Sequence, residues 1–136
     1  MIVLLDTNII MDALQERSPF DVAVKEILVQ GQNGKLTCLF TANAAVDIFY
    51  LYSKARGMNA ATVALDFLLK TYKVVSVTHE DCTAAVALSI ADFGDALVAV
   101  CAEKAGADYI ITRDEEFLTE PSPVKTISPN NFIAKY

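Results

Sequence analysis

Apolar residues fall along this chain in short runs of two kinds. Ile2-Val3-Leu4-Leu5 is unbroken, as expected of a strand buried on both faces. "LTCLF" at 36–40, "KVVSV" at 73–77 and "DYIIT" at 108–112 read the same way, and a short fifth strand is expected at 124–127. Between them the apolar positions recur at helical spacing. A short helix is expected from near Asn8 to near Leu14. A second has Ser18 as its N-cap, Pro19 at its first position and a stop between Gly31 and Gly34. "TANAAVDIFYLYSKARG" predicts a helix capped at Thr41 and ended by Gly57. Further helices are expected over 60–71, over "HEDCTAAVALSI", over "DFGDALVAVCAEKAGA" to Gly106, and after Ser128-Pro129. Strand–helix alternation with short connections predicts an α/β fold: a three-layer α/β/α sandwich on a mainly parallel sheet of about five strands. The 136 residues suit one domain spanning 1–136.

The pattern also fixes where the acids fall. In open α/β sheets functional groups collect beyond the carboxyl ends of the strands. Asp6 follows the first strand and Asp114 the fourth. The helix from about Asp95 to Gly106 covers roughly 16 Å, and the next strand retraces about that distance. Asp95 is therefore expected at the same edge as Asp114. Asp47 lies in the second turn of the helix after strand two, on a polar stripe with Asn43, Tyr50 and Lys54, opposite Ala45, Ile48, Phe49 and Tyr52. Carboxylates gathered at one edge repel one another unless a cation neutralises them. An all-oxygen set suits Mg²⁺ or Mn²⁺, which can activate water against a phosphodiester. Each acid also has a plainer reading. Asp6 can cap the helix that follows it, Asp92 and Asp95 form a capping step, Asp47 can sit on a solvated face, and Asp114 belongs to the charge run "RDEEF". Asp12 and Asp66 read as surface acids.

Composition narrows the chemistry. Cys38, Cys82 and Cys101 are far apart and never in a CxxC pair, and His79 is the single histidine, which argues against zinc. No apolar run reaches membrane-spanning length, and a cytoplasmic protein is expected. A formal net charge of −6 argues against a module that simply coats nucleic acid. An acidic pocket neutralised by a cation reconciles that charge with an anionic substrate.

Three motifs in order, Asp6-Thr7-Asn8 after an apolar strand, Asp95-Ala96-Leu97-Val98-Ala99 at a helix start and Thr112-Arg113-Asp114 after a second apolar strand, give a resemblance over nearly the whole chain. The sequence resembles the PIN-domain nucleases. The resemblance implies a metal-dependent endonuclease, most often acting on RNA with Mg²⁺ or Mn²⁺. Many bacterial members of this size are VapC-like toxins held inactive by a partner antitoxin, and often they are dimeric. It further implies that Asp6, Asp95 and Asp114 are metal ligands, that Thr112 supports the cluster, and that Asn8 positions the loop or a water. Where the family usually carries Glu in the helix after strand two, this chain has Asp47, about 1.5 Å shorter in reach. Arg17, Lys54, Arg56 and Arg113 are the expected phosphate contacts. Two rivals remain: a PIN-fold interaction module without catalysis, and an aspartyl-phosphate phosphatase on Asp6, which lacks its second acid because Asn8 stands there.

Overall fold

A computed structural model describes all 136 residues. Five parallel strands form one sheet in the order β3-β2-β1-β4-β5: β1 (Ile2–Leu5), β2 (Thr37–Thr41), β3 (Lys73–Val75), β4 (Tyr109–Ile111) and β5 (Thr126–Ile127). Eight helices cover it: α1 (Thr7–Leu14), α2 (Asp21–Gln32), α3 (Ala42–Arg56), α4 (Met58–Thr71), α5 (His79–Ala87), α6 (Phe93–Lys104), α7 (Glu115–Thr119) and α8 (Pro129–Lys135). This is the expected three-layer α/β/α sandwich. No helix is long and apolar enough to cross a membrane.

Strand side chains alternate between the two faces. Val3, Leu5, Cys38 and Phe40 pack with Ile9, Ile10, Val24, Ile27, Ile48 and Phe132 in one core layer. Leu4, Leu39 and Ile110 pack with Leu97, Val98, Cys101 and Phe117 in the other. Val3 stands beside Cys38 of β2 and Tyr109 of β4, so β1 is hydrogen-bonded on both edges. A strand with both faces and both edges occupied has no room for polar residues, which explains its unbroken apolar run.

The caps that end these elements are mostly those written in the chain. Thr41 Oγ1 accepts from the Ala44 amide at the start of α3, Ser128 does the same for Asn131, and Gly57 and Gly106 take positive φ where helices stop. Two features depart from expectation. The second helix begins at Asp21, not Pro19, and its N-cap is Phe20, not Ser18, with no side-chain cap bond. Ser18-Pro19 is a cis peptide outside the helix. The run "RDEEF" is not only solvated charge: Asp114 caps the five-residue α7, and Phe117 is fully buried.

The chain fills one side of the sheet outward from β1 through β2 to β3, then crosses back to add β4 and β5. The connections therefore diverge between β1 and β4, and a crevice opens beyond their carboxyl ends.

Candidate metal centre

A cleft of about 310 Å³ occupies that crevice. Asp6, Asp47, Asp92, Asp95 and Asp114 all line it, together with Asn8, Asn43 and Arg17. Asp95 reaches the same edge as Asp114, as element lengths predict.

Asp6 is the buried member. Its backbone N–H donates to the Ile111 carbonyl at 3.0 Å, which ties the end of β1 to β4. Its Oδ1 accepts from the Thr7 amide at 2.9 Å and caps α1. Its Oδ2 accepts from the hydroxyl of fully buried Thr112 at 2.8 Å. Thr112 Oγ1 in turn accepts from the Asp114 amide at 3.1 Å and from Asn8 Nδ2 at 3.5 Å. One hydroxyl thus joins three of the predicted residues. Burial pushes the Asp6 carboxyl above its ordinary range; the bonds from Thr112 and Thr7 work against that shift.

Asp92 caps α6 through the Asp95 amide at 2.9 Å, and Asp114 caps α7 through the Glu116 amide at 3.0 Å. The capping and cleft-lining readings therefore hold together. Each cap commits one carboxylate oxygen and leaves the other for the cleft, and the helix N-termini add favourable partial charge to the same space. Gly94 fits here because a Cβ on it would meet Asp92 Oδ1 at 3.0 Å. Asp95 is half-buried in the first turn of α6. Burial first, and then the charges of Asp6, Asp92, Asp114 and Glu116, push its carboxyl up to about 7. Asp47 lines the cleft from the second turn of α3 and is exposed.

No group of three or more carboxylate, histidine or cysteine side chains stands close enough together to hold an ion as it is. The donor chemistry nevertheless fits a hard divalent cation, since every candidate ligand is an oxygen. A second observation agrees. Only two buried side-chain polar atoms in the chain lack a hydrogen-bond partner, Asn8 Oδ1 and Asn43 Oδ1, and both residues line this cleft. A buried carbonyl oxygen without a donor costs about 1–3 kcal/mol, and such exceptions call for an explanation. Asn43 was visible in the α3 stripe, but spacing alone gave it no task.

The basic residues separate. Arg17 lines the cleft. Lys54 Nζ sits over the Tyr50 ring at 4.6 Å, and Arg56 is exposed at the end of α3. Arg113 turns away to Asp12, with Nε and Nη2 at 2.5 and 3.0 Å from its two oxygens. Asp12 is therefore no surface acid: its side chain is 0% exposed. Its partner lies 101 positions along the chain, beyond any local pattern. Asp66 does lie on the surface, paired with Lys70 at 2.8 Å.

Fold and cleft together define an α/β/α domain with an acidic crevice where its central strands diverge. The PIN domain family matches residues 2–116, and the chain belongs to that family. No curated protein sequence matches it. Among solved structures, a chain of the Salmonella typhimurium VapBC bound to DNA superposes with TM-score 0.74 at 12% identity, over 95% of this chain and 98% of that one. A chain of VapBC2 from Rickettsia felis, bound to a DNA fragment from its promoter, gives 0.72 at 18% identity, over 94% and 98%. The Mycobacterium tuberculosis toxin VapC20, which cleaves the sarcin–ricin loop, gives 0.69 at 17%, over 85% and 92%. At these identities the likeness is one of fold.

Proposed function

We propose that the protein is a Mg²⁺- or Mn²⁺-dependent endoribonuclease, of the kind that acts as the toxin of a toxin–antitoxin pair. The observation that carries the reading is the Asp6–Thr112–Asp114 junction facing Asp95 across one cleft, with Asp95 driven towards its neutral form by burial and its neighbours. Asp6, Asp95 and Asp114 would hold the cation, with Asp47, Asn8 and Asn43 as further oxygen donors. The cation would supply Lewis acidity, neutralising charge that develops on phosphate oxygens and making water a better nucleophile.

The protein's own part is positioning. The Thr112 hydroxyl donates to Asp6 Oδ2 and the Thr7 amide to Oδ1, so both oxygens of that carboxylate are held in one orientation. The Asp114 and Asp95 amides, bonded to Thr112 and Asp92, fix the first turns from which those side chains project. Such preorganisation holds charge in place before substrate arrives.

A protein partner belongs to the same reading. Val46, Tyr50, Leu51, Met58, Val63 and Phe67 are exposed along α3 and α4. Apolar surface of that kind supports contact with an antitoxin or with a second copy of the chain. The fold is also found in VapBC complexes.

Cleavage of single-stranded and structured RNA in Mn²⁺ is the test, run beside Asp6→Asn. The variant is expected to lose more than the roughly 10- to 100-fold typical of an outer-shell change. Equal cleavage by both proteins, or none by either across many RNAs, would refute the proposal. Calorimetry that finds no Mn²⁺ binding at millimolar metal would instead favour an interaction module.

A further inference from the structure

We propose that the buried carboxylate of Asp12 is a positioning group, and that it holds Arg17 at the acidic cleft as the contact for a phosphate of the RNA backbone. The inference rests on the nuclease reading and adds the pair of residues that docks the anionic chain.

A phosphodiester approaching this cleft meets five aspartates, and Arg17 is the one basic residue among the lining. Its placement is built, not accidental. At the end of α1 the Glu16 amide bonds the Ala13 carbonyl, and the Arg17 amide bonds the Asp12 carbonyl at 3.0 Å. That pair of bonds is the Schellman turn, which reverses the chain at a helix C-terminus. Glu16 takes a φ of 50 to make it, a left-handed conformation that a glycine would adopt without strain. The turn swings Arg17 back over its own helix. Its Nη1 then stands 3.5 Å from Asp12 Oδ1, and its Nη2 donates to Gln15 Oε1 at 2.5 Å.

Charge counting carries the argument further. Asp12 is already paired by Arg113, whose guanidinium bonds both carboxylate oxygens and stacks 4.1 Å from the Phe20 ring. That pair alone neutralises the buried acid. A second guanidinium leaves one positive charge over, and the surplus sits on Arg17, whose side chain is 39% exposed and whose pairing with Asp12 is the looser one. Guanidinium has five N–H donors in a planar fork. One edge can rest on Asp12 and Gln15 while the rest face a phosphate. An arginine held this way loses less side-chain freedom on docking than an untethered one.

The test uses a labelled single-stranded RNA and the full chain in Mn²⁺, with cleavage kinetics and the salt dependence of binding. Arg17→Ala is expected to raise KM about tenfold while kcat changes little, because it removes binding made before the chemistry. Its log–log salt slope should be shallower by about 0.7, the value of one phosphate contact on a single strand. Arg17→Lys should restore part of the slope but not the affinity. Asp12→Asn should raise KM in the same direction, and adding it to Arg17→Ala should cost little more. Should Asp12→Asn fail to fold, Gln15→Ala loosens Arg17 without touching the buried acid and should raise KM by a smaller factor. An Arg17→Ala protein with unchanged KM and salt slope, beside an active parent, overturns this inference alone. A parent that neither binds nor cleaves RNA overturns it together with the nuclease reading.

Discussion

Glu16 occupies a backbone conformation that disfavours any L-residue by roughly 1–2 kcal/mol. Glycine escapes that cost but gives up conformational entropy of about 0.5–1 kcal/mol on folding. The exposed contact of Glu16 with Lys25, at 3.4 Å, is worth little. Glu16→Gly should therefore leave stability within about 1 kcal/mol of the parent. Glu16→Val should lose on the order of 1–3 kcal/mol, because branching at Cβ worsens the left-handed strain. Urea unfolding, with the m-value checked for constancy, reads both. At this scale the candidate site was largely legible in the sequence. Asp6, Asp95 and Asp114 reach one cleft because strand ends and helix starts put them there. Asp12 was not legible, because what makes its burial tolerable is the guanidinium of Arg113, just past the carboxyl end of β4 and 101 positions along the chain.

Helix α5 opens with a complete capping box: Thr78 Oγ1 accepts from the Asp81 amide at 3.2 Å, and Asp81 Oδ2 accepts from the Thr78 amide at 3.0 Å. The same carboxylate meets Lys104 at the end of α6, so one side chain both starts a helix and fastens it to its neighbour. The Lys104 ammonium first, then the Thr78 amide, hold the Asp81 carboxyl below its ordinary value of 3.8. A folded-state value below the unfolded one stabilises the fold above the unfolded value and is lost as pH falls through the folded one. The parent should thus lose stability on acidification below about pH 4 more steeply than Asp81→Asn, as thermal melts across pH 2–7 would register. Most elements were readable because helix and strand periods differ and the caps are conventional. α7 was not, because five residues are too few for periodicity and three of them are acidic or polar. α2 starts two residues later than Ser-Pro predicts: Phe20 is its N-cap and packs its ring against the Arg113 guanidinium.

For the molecule as a whole, the crowded acids set stability against the proposed function. Asp95 carries its charge against burial and four acidic neighbours. Asp95→Asn should raise the melting temperature of the metal-free protein by a few degrees, because it removes a charge opposed by burial and by its acidic neighbours. Mn²⁺ should raise the melting temperature of the parent, by linkage, and leave that of Asp95→Asn almost unmoved. Scanning calorimetry with and without metal checks both. The sheet order has a consequence for biosynthesis as well. β1 precedes the other four strands in the chain yet lies at the centre of the sheet, and its partner β4 begins more than a hundred residues later. Asp6 and Asp114 cannot face each other until that late segment has left the ribosome. Contacts of such long range also form slowly. A nascent chain of this topology carries Asp6 through more than a hundred residues of synthesis before Asp114 exists to stand opposite it, so the acidic cleft between them assembles late.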